Sequence, residues 1–141
     1  MYKVECVYGD DKIIDFEKRR VEAFDGKKDI KTIKNAPYGK AIKDGDMLAL
    51  NCLEGDKAIG GVLLDVKGED LHIERLFVDF EKRGNGVGTF LLEYIDKNKG
   101  IFEDYFGLSL DGILLEPLQS NIDYYYDRGY DSFGFQMYKS F

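Results

Sequence analysis

The 141-residue chain is 44% hydrophobic and 33% charged, which is typical of one globular domain and argues against disorder. Lys and Arg total 20 and Asp and Glu total 27, so the net charge is −7, and this acidic balance argues against a nucleic-acid partner. A cationic or neutral partner fits the charge better. His72 is the single histidine, which argues against a metal site built from histidines.

The amino-terminal segment MYKVECVYGDD is too short and too polar for a signal peptide, and no apolar run approaches membrane-spanning length. We therefore expect a cytoplasmic protein with no membrane partner. Cys6 and Cys52 each lie singly in an apolar segment, without C-x-x-C spacing, so both are predicted to be buried thiols.

The first third of the chain predicts a strand, a helix and a loop. Residues 2–8 alternate in polarity as a strand does, and residues 12–24 carry apolar positions at helical spacing. Asp10 or Asp11 is predicted to cap that helix. Residues 27–45 are rich in lysine and lack a clear period, which predicts a loop that can hold one short helix.

Three consecutive apolar segments in the middle of the chain predict an antiparallel meander. They cover residues 47–53, 58–66 and 71–78, and short turns that contain glycine join them. Gly60 and Gly61, inside the second strand, predict a bulge or a close approach of another part of the backbone.

The third of these strands interrupts its own alternation. His72 and Glu74 place polar side chains on one face, but Leu76 makes the same face apolar further along, while Arg75 places a charge on the other face. A β-bulge near Glu74 and Arg75 would produce this switch.

The end of the chain predicts two strands around a helix. Residues 112–116 form a short apolar strand, and residues 132–138 return as the last strand. Between them, Ser120 or Asn121 is predicted to cap a short helix that ends at Gly129.

A glycine-rich turn over residues 83–88, Arg-Gly-Asn-Gly-Val-Gly, joins the meander to a further helix. Its glycines let the backbone approach a ligand without an intervening Cβ. Apolar residues then recur at the spacing of one helix face: Val87, Phe90, Leu91, Tyr94 and Ile95. Because the amides of the turn and the positive end of the helix dipole coincide, the segment predicts a phosphate site.

This turn matches one known pattern of phosphate binding and fails two others. The dinucleotide pattern G-x-G-x-x-G would need glycine at Thr89, and the P-loop would need Gly-Lys-Ser/Thr at its end. The pattern [Gln/Arg]-x-x-G-x-[Gly/Ala] fits Arg83, Gly86 and Gly88, and it resembles motif A of the GCN5-related N-acetyltransferases.

The resemblance implies that the turn binds the pyrophosphate of acetyl-CoA. It also implies that the strand before the turn bonds the pantetheine arm through its backbone. The residues assigned to the cofactor in this way are Leu76, Phe77, Val78, Arg83, Gly84, Asn85, Gly86, Val87, Gly88, Thr89 and Asn121.

A second stretch is similar to the family signature N…[F/L]-Y-x-K-x-G-[F/Y]. It begins at Asn121, and it differs by Asp127 in place of the basic residue and by a shorter interval after the asparagine. The resemblance implies that Tyr125 protonates the departing CoA thiolate. Tyr124 and Tyr126 stay open as alternatives for this role.

Acetyl transfer to an amine requires a neutral nitrogen, so a group that accepts a proton is expected near the reaction. Counted back from Arg83 without gaps, His72 lies where histone-acetylating relatives carry their basic glutamate. Glu74 lies on the same strand face. Glu74 is preferred over His72 as the base, and a water chain without a dedicated base is the alternative.

The order of elements matches the family fold over nearly the whole chain. The resemblance implies one α/β domain over residues 1–141, an α+β arrangement in which helices flank a mixed, mostly antiparallel sheet. It implies an acetyl-CoA-dependent enzyme that moves an acetyl group directly to a primary amine of a small molecule or peptide and needs no metal. The alternative is a non-catalytic acyl-CoA-binding module. A homodimer is left open.

Overall fold

The computed structural model describes residues 1–25 and 38–141. Most of the predicted loop over residues 27–45 lies outside these ranges, and its described part holds the one short helix that the pattern allows. The helices are α1 (Asp10–Asp25), α2 (Gly39–Asp44), α3 (Val87–Lys97), α4 (Lys99–Phe106) and α5 (Ile122–Tyr126). The strands are β1 (Tyr2–Cys6), β2 (Leu48–Glu54), β3 (Lys57–Lys67), β4 (Asp70–Val78), β5 (Gly112–Leu115), β6 (Asp131–Phe133) and β7 (Gln136–Ser140).

The seven strands form one mixed sheet, flanked by helices, in the order β1-β2-β3-β4-β5-β7-β6. β1 pairs antiparallel with β2, and β7 pairs antiparallel with both β5 and β6, whereas β4 and β5 are parallel. The predicted mixed sheet is confirmed. The parallel pairing runs from Asp70 to Ile73 and ends just before Glu74, so the β-bulge placed there stays a prediction.

The chain packs as two compact units. The first comprises Met1–Leu63 and Arg75–Tyr94, and the second comprises Leu64–Glu74 and Ile95–Phe141. A single domain over all 141 residues therefore stays a prediction. The core of the first unit consists of Val7, Ile13, Phe16, Ile42, Met47, Ala49, Leu63 and Phe77.

Helix α1 turns both apolar and charged side chains into the first unit. Ile13 and Phe16 are buried, as their spacing predicts, and the Phe16 ring meets the edge of Phe77 on β4 with centroids 5.2 Å apart. Arg20 is buried as well. Its Nε donates to Glu17 Oε2 at 2.5 Å, which gives each buried charge an opposite partner.

Gly60 and Gly61 of β3 allow a close approach of neighbouring elements. A Cβ on Gly60 would lie 2.9 Å from the backbone oxygen of Phe77 and 2.9 Å from a methyl group of Val87. A Cβ on Gly61 would lie 2.7 Å from the Phe16 ring. Neither position can hold a side chain without a shift of its neighbours, so the predicted close approach is confirmed.

The second unit is built on β5, whose residues Gly112–Leu115 are all buried. β5 lies between β4 and β7 in the sheet, which explains why it carries an uninterrupted apolar run rather than an alternating one. Other buried residues of this unit are Leu71, Ile73, Ile95, Phe102, Leu110, Tyr125, Tyr130 and Met137.

The last strand, predicted over residues 132–138, is wrong. The chain instead forms a hairpin of β6 and β7 around Gly134, whose φ of +66° supplies a left-handed turn position. Phe133 and Phe135 are 71% and 97% exposed, so the apolar residues that suggested one strand do not form a buried face.

Two cap predictions and one burial prediction are also wrong. α1 begins at Asp10, so Asp10 and Asp11 lie in its first turn, where their carboxylates face the positive end of the dipole instead of capping it. Asn121 precedes α5 but makes no side-chain capping bond. Cys6 is exposed because β1 is an edge strand, whereas Cys52 is buried as predicted.

The close approach at β3 can be tested with two alanine variants. We expect Gly60→Ala to lower the free energy of unfolding by about 1–3 kcal/mol, because its methyl group would overlap a backbone oxygen that cannot move alone. Gly100→Ala is the matched control: Gly100 lies in α4 with open space around a Cβ, and alanine favours helix by up to about 1 kcal/mol. Urea unfolding measures both variants. A Gly60→Ala protein as stable as the wild type would contradict the close approach.

Candidate active site

The glycine-rich turn lies between a 3₁₀ turn at Phe80–Lys82 and the first residue of α3. Gly84 and Gly86 have φ angles of +81° and +77°, a conformation that glycine adopts without steric cost. A Cβ at either position would meet no atom of residues 1–25 and 38–141 within 4 Å. The backbone conformation favours glycine at both positions, and no described residue fills the space beside them.

Side chains from two elements hold the turn in this conformation. The Asn85 side-chain amide donates to the carbonyl groups of Lys82 and Arg83 at 3.1 and 3.3 Å. The Tyr2 hydroxyl of β1 donates to the Asn85 carbonyl at 2.8 Å. Because these bonds use carbonyl oxygens, they fix the turn without occupying its N–H groups.

The backbone N–H groups of the turn are available to an anion. The first bond of α3 runs from the Phe90 N–H to the Gly86 carbonyl at 2.9 Å, and within the described residues no acceptor is found for the N–H groups of 84–88. The first N–H groups of a helix lack intrahelical partners and carry the positive end of its dipole. The segment therefore has the physical properties of a phosphate site.

The Arg83 side chain binds protein carbonyl groups. Its Nη2 donates to the Ala23 carbonyl of α1 at 2.6 Å, and its Nε donates to the Val78 carbonyl at 3.3 Å. Its guanidinium carbon also lies 5.5 Å from the centre of the Phe80 ring, which is largely exposed. What the turn offers a ligand is thus mainly its backbone.

The residues that precede the turn lie where the motif predicts them, at the end of β4. Phe77 is buried in the core of the first unit, while Leu76 and Val78 are half-buried. The Asp79 N–H donates to the Ile59 carbonyl at 2.9 Å, which fixes the end of β4 against β3 immediately before the turn.

In the second unit, His72 lies at the centre of a carboxylate cluster that we define as Asp65, His72, Glu74 and Glu116. Nδ1 of His72 is 2.6 Å from Asp65 Oδ1 on β3, and Nε2 is 2.7 Å from Glu116 Oε2, just after β5. Glu74 Oε2 lies 3.6 Å from Nδ1. The His72 side chain is 2% exposed and that of Glu74 is 23% exposed.

The cluster favours the charged imidazolium form of His72, because only that form donates from both ring nitrogens. Burial alone would lower the pKa of His72, but the hydrogen bonds and charges of Asp65 and Glu116 outweigh it and raise the pKa. Burial also acts to raise the pKa of Glu116, and hydrogen bonds from His72 and Gln136 reverse this and lower it. A protonated imidazole cannot accept a further proton.

The ligand atoms of Asp65, His72 and Glu74 lie within 4.8 Å of one another, a spacing that a metal ion could bridge. Such groups are common in proteins without an ion, and here the Lys67 ammonium, 3.5 Å from Asp65 Oδ2, adds a further positive charge. That no metal is needed stays a prediction.

Helix α5 buries one of three consecutive tyrosines. Tyr125 is 7% exposed and meets the rings of Tyr124 and Tyr130 edge to face, with centroids 5.2 and 5.6 Å apart. Burial raises the pKa of Tyr125 to about 12, so the phenol keeps its proton at neutral pH. Tyr126 is 45% exposed and its hydroxyl bonds Ser132 Oγ.

A family model described as an acetyltransferase (GNAT) domain matches residues 12–103, more than half of the chain. The chain belongs to the GNAT acetyltransferase family. It is therefore an acetyl-CoA-dependent acetyltransferase, as motif A predicts. Among curated proteins, none matches the chain significantly.

Solved structures share the fold of this acetyltransferase over the whole chain. The PaiA N-acetyltransferase of Thermoplasma acidophilum, in complex with coenzyme A, is 16% identical, with a TM-score of 0.68 and coverage of 100% of this chain and 99% of that one. The ribosomal-protein-S18-alanine N-acetyltransferase of Escherichia coli is 14% identical, with a TM-score of 0.73 and coverage of 99% and 94%. An aminoglycoside 6'-N-acetyltransferase complexed with coenzyme A is 12% identical, with a TM-score of 0.72 and coverage of 99% and 96%.

The structure brings the two candidate bases of this acetyltransferase, Glu74 and His72, into one cluster. It adds Asp65 and Glu116, which sequence reasoning missed. Each is a single acidic residue directly after an apolar run, Asp65 in β3 and Glu116 after β5. An isolated charge at the end of such a run is the sequence signal that could have identified both residues. Asn121 belongs to the second unit, so its role toward the cofactor stays a prediction.

Within the described ranges, no helix of the acetyltransferase is both long and apolar enough to cross a membrane. The cytoplasmic location stays a prediction.

The charge of His72 can be tested through stability. We expect His72→Gln to lower the free energy of unfolding by about 2 kcal/mol at pH 6, because Asp65 and Glu116 lose the charged donor that lies between them. The folded pKa lies above the unfolded value of about 6.5. The stabilisation is therefore complete below pH 6.5 and is lost as pH rises through the folded pKa.

Denaturant unfolding of the wild type and His72→Gln at pH 6 and pH 9 measures this difference. His72 is the only histidine, so no other imidazole titrates in that range. Glu116→Gln removes one partner and should show a smaller difference with the same trend. A difference between wild type and His72→Gln that is equal at both pH values would contradict a charged His72.

The cofactor role of the turn can be tested at Gly86. We expect Gly86→Asp to weaken acetyl-CoA binding more than tenfold, or by over about 1.4 kcal/mol, because a carboxylate would face the pyrophosphate. Gly86→Asn is the matched control, since asparagine has the same shape and tolerates the φ of +77° without adding charge. Calorimetric titration of both folded variants gives the affinities. A Gly86→Asp protein with wild-type affinity would show that the turn does not bind the pyrophosphate.

Proposed function

We propose that this GNAT acetyltransferase moves the acetyl group of acetyl-CoA directly to a primary amine. The observation that carries the proposal is the turn at the start of α3, where the backbone N–H groups of 84–88 have no acceptor among the described residues. Two structures that share the fold were solved with coenzyme A, which supports the same ligand here.

The cofactor role of the first unit is electrostatic. The pyrophosphate of acetyl-CoA is held by amides of residues 84–88 and by the dipole of α3, with no side chain required. Leu76, Phe77 and Val78 precede the turn on β4, and their backbone would bond the pantetheine arm. Binding of this kind orients the thioester without taking part in the chemical step.

Glu74 is the base in this proposal. The attacking amine must lose a proton, and a carboxylate can take it directly or through water. His72 is held as an imidazolium by Asp65 and Glu116, so its role is to add positive charge beside Glu74 rather than to accept the proton. Glu74 keeps part of its side chain exposed, which a proton acceptor requires.

Tyr125 is the general acid in this proposal. As the amine attacks the thioester carbonyl, the carbon–sulfur bond breaks and negative charge develops on the sulfur of CoA. A phenol with a raised pKa keeps its proton until that charge develops. Tyr126 is a weaker candidate because its hydroxyl is engaged with Ser132.

Charge and the relatives support the proposed acceptor class. A net charge of −7 favours a cationic or neutral amine over an anionic one. Two relatives with the same fold are named for the amine-bearing molecules that they acetylate, ribosomal protein S18 and aminoglycosides. A small-molecule or peptide amine is proposed, and the expected absence of a nucleic-acid partner and of a metal remain predictions, as does a homodimer.

Release of CoA thiol from acetyl-CoA in the presence of a panel of amines tests this function. The panel holds a diamine, an amino acid, an aminoglycoside and a peptide with a free amino terminus. We expect thiol release that depends on one class of amine, with the product heavier by one acetyl group in mass spectrometry. Binding of acetyl-CoA without amine-dependent thiol release would favour a non-catalytic acyl-CoA-binding module.

We expect Tyr125→Phe to lower kcat by about 10²-fold, because the ring and its packing remain while the proton donor is lost. Affinity for acetyl-CoA should barely change, and the deficit should shrink at alkaline pH, where the thiolate leaves unaided. Tyr124→Phe and Tyr126→Phe are the matched controls. If one of these controls loses the activity and Tyr125→Phe does not, the acid has been assigned to the wrong tyrosine.

We expect Glu74→Gln to lower kcat most near neutral pH and to recover part of the rate at alkaline pH, where the amine deprotonates in solution. Glu69→Gln is the control, since Glu69 is an exposed carboxylate in the turn before β4. The pH–rate profiles of both variants are compared with that of the wild type. A Glu74→Gln profile that superimposes on the wild-type profile would exclude Glu74 as the base.

A further inference from the structure

The carboxyl-terminal turn of α1 receives its positive charge from a distant residue. The last carbonyl groups of a helix lack intrahelical donors, and a basic side chain there satisfies them and interacts favourably with the dipole. α1 has no basic residue in its own last turn. The Ala23 carbonyl instead accepts from Nη2 of Arg83, 60 residues further along, at 2.6 Å.

Arg83 is at the same time the first residue of the glycine-rich turn. Its N–H donates to the Phe80 carbonyl at 3.4 Å, and its own carbonyl accepts from the Asn85 side chain at 3.3 Å. Its Nε also donates to the Val78 carbonyl at the end of β4. One residue therefore belongs to the turn by its backbone and to α1 by its side chain, and all of these contacts lie within the first unit.

On the basis of the proposed function, we propose that Arg83 is a positioning residue that couples acetyl-CoA binding to the end of α1. A pyrophosphate bound to the amides of 84–88 restricts the backbone of the turn. Less conformational freedom then has to be lost for the guanidinium to reach the Ala23 carbonyl, so the helix end becomes more stable. Because binding linkage is reciprocal, an ordered end of α1 strengthens cofactor binding by the same factor.

This role differs from a direct grip of the guanidinium on the phosphate. In a direct grip, Arg83 would leave the Ala23 carbonyl when the cofactor binds, and the end of α1 would fray faster in the complex. In the coupled arrangement the contact persists, and the end of α1 frays more slowly in the complex. The two alternatives thus predict opposite changes in the fraying of the end of α1. Neither requires the cofactor to contact that helix.

Hydrogen exchange measured by mass spectrometry separates them. We expect a saturating concentration of coenzyme A to slow exchange about tenfold in the peptide that holds the last turn of α1 and also in the turn over residues 84–90, because restricting the backbone of one residue is worth about one decade in an equilibrium constant. The peptide that holds α4 is the internal control, since the Arg83 side-chain bonds found among the described residues go to Val78 and Ala23 and not to α4. In Arg83→Gln we expect the slowing to persist at residues 84–90 and to vanish at α1.

Arg83→Lys supplies the charge without the fork of donors, and we expect it to restore part of the effect at α1. Calorimetry should show that Arg83→Gln binds coenzyme A more weakly than the wild type. The fold-loss of affinity should equal the fold-loss of exchange protection at the end of α1, and a contact with a purely structural role would not produce this equality. Unchanged or faster exchange of α1 in the wild-type complex, with the turn protected, would overturn the coupling and leave the proposed function intact. Loss of protection at the turn itself in Arg83→Gln would show a direct grip instead. If the wild-type turn is not protected, the proposed function fails as well.

Discussion

The central constraint in this acetyltransferase is that five consecutive backbone N–H groups must be fixed in place and yet left without an acceptor among the described residues. Positive φ angles at Gly84 and Gly86 create that conformation. The turn is held by hydrogen bonds that Tyr2, the Asn85 side chain and the Arg83 side chain donate to carbonyl oxygens. These bonds do not use the amides of the turn. Preorganisation of this kind lowers the entropy that a bound phosphate would otherwise have to offset. The residues around the turn are therefore explained by one requirement: they fix the backbone and leave its N–H groups for a ligand.

The second unit contains a buried charged side chain, and its neighbours must stabilise that charge. His72 is almost fully buried, and its ring is stable there as a cation because Asp65 and Glu116 each accept a hydrogen bond from one of its N–H groups. The same arrangement makes His72 a poor proton acceptor, which is why Glu74, 3.6 Å from Nδ1, is the base in the proposed mechanism. The positively charged His72 and the proposed base, Glu74, thus lie side by side in one cluster.

Local features were predictable and long-range features were not. The turn and helix α3 follow from residues 83–95 alone, because glycine conformation and helical spacing act over a few residues. The close approach at Gly60 was also readable, since a glycine inside a strand often marks a bulge or a place where another backbone comes near. By contrast, the bonds from Arg83 to Ala23 and from His72 to Glu116 join positions far apart in sequence. An arginine or a histidine does not indicate by its residue type which distant group it will bind. The hairpin at Gly134 was missed because its exposed phenylalanines resemble a buried strand.

Nuclear magnetic resonance of protein labelled with ¹⁵N-glycine tests the central claim most directly. The account predicts that coenzyme A causes saturable shifts of the amide resonances of Gly84, Gly86 and Gly88, since these groups would receive the phosphate oxygens. Gly100 in α4 and Gly134 in the β6–β7 hairpin are the internal controls and should not move. Shifts confined to glycines outside the turn, with Gly84, Gly86 and Gly88 unmoved at saturation, would contradict the account.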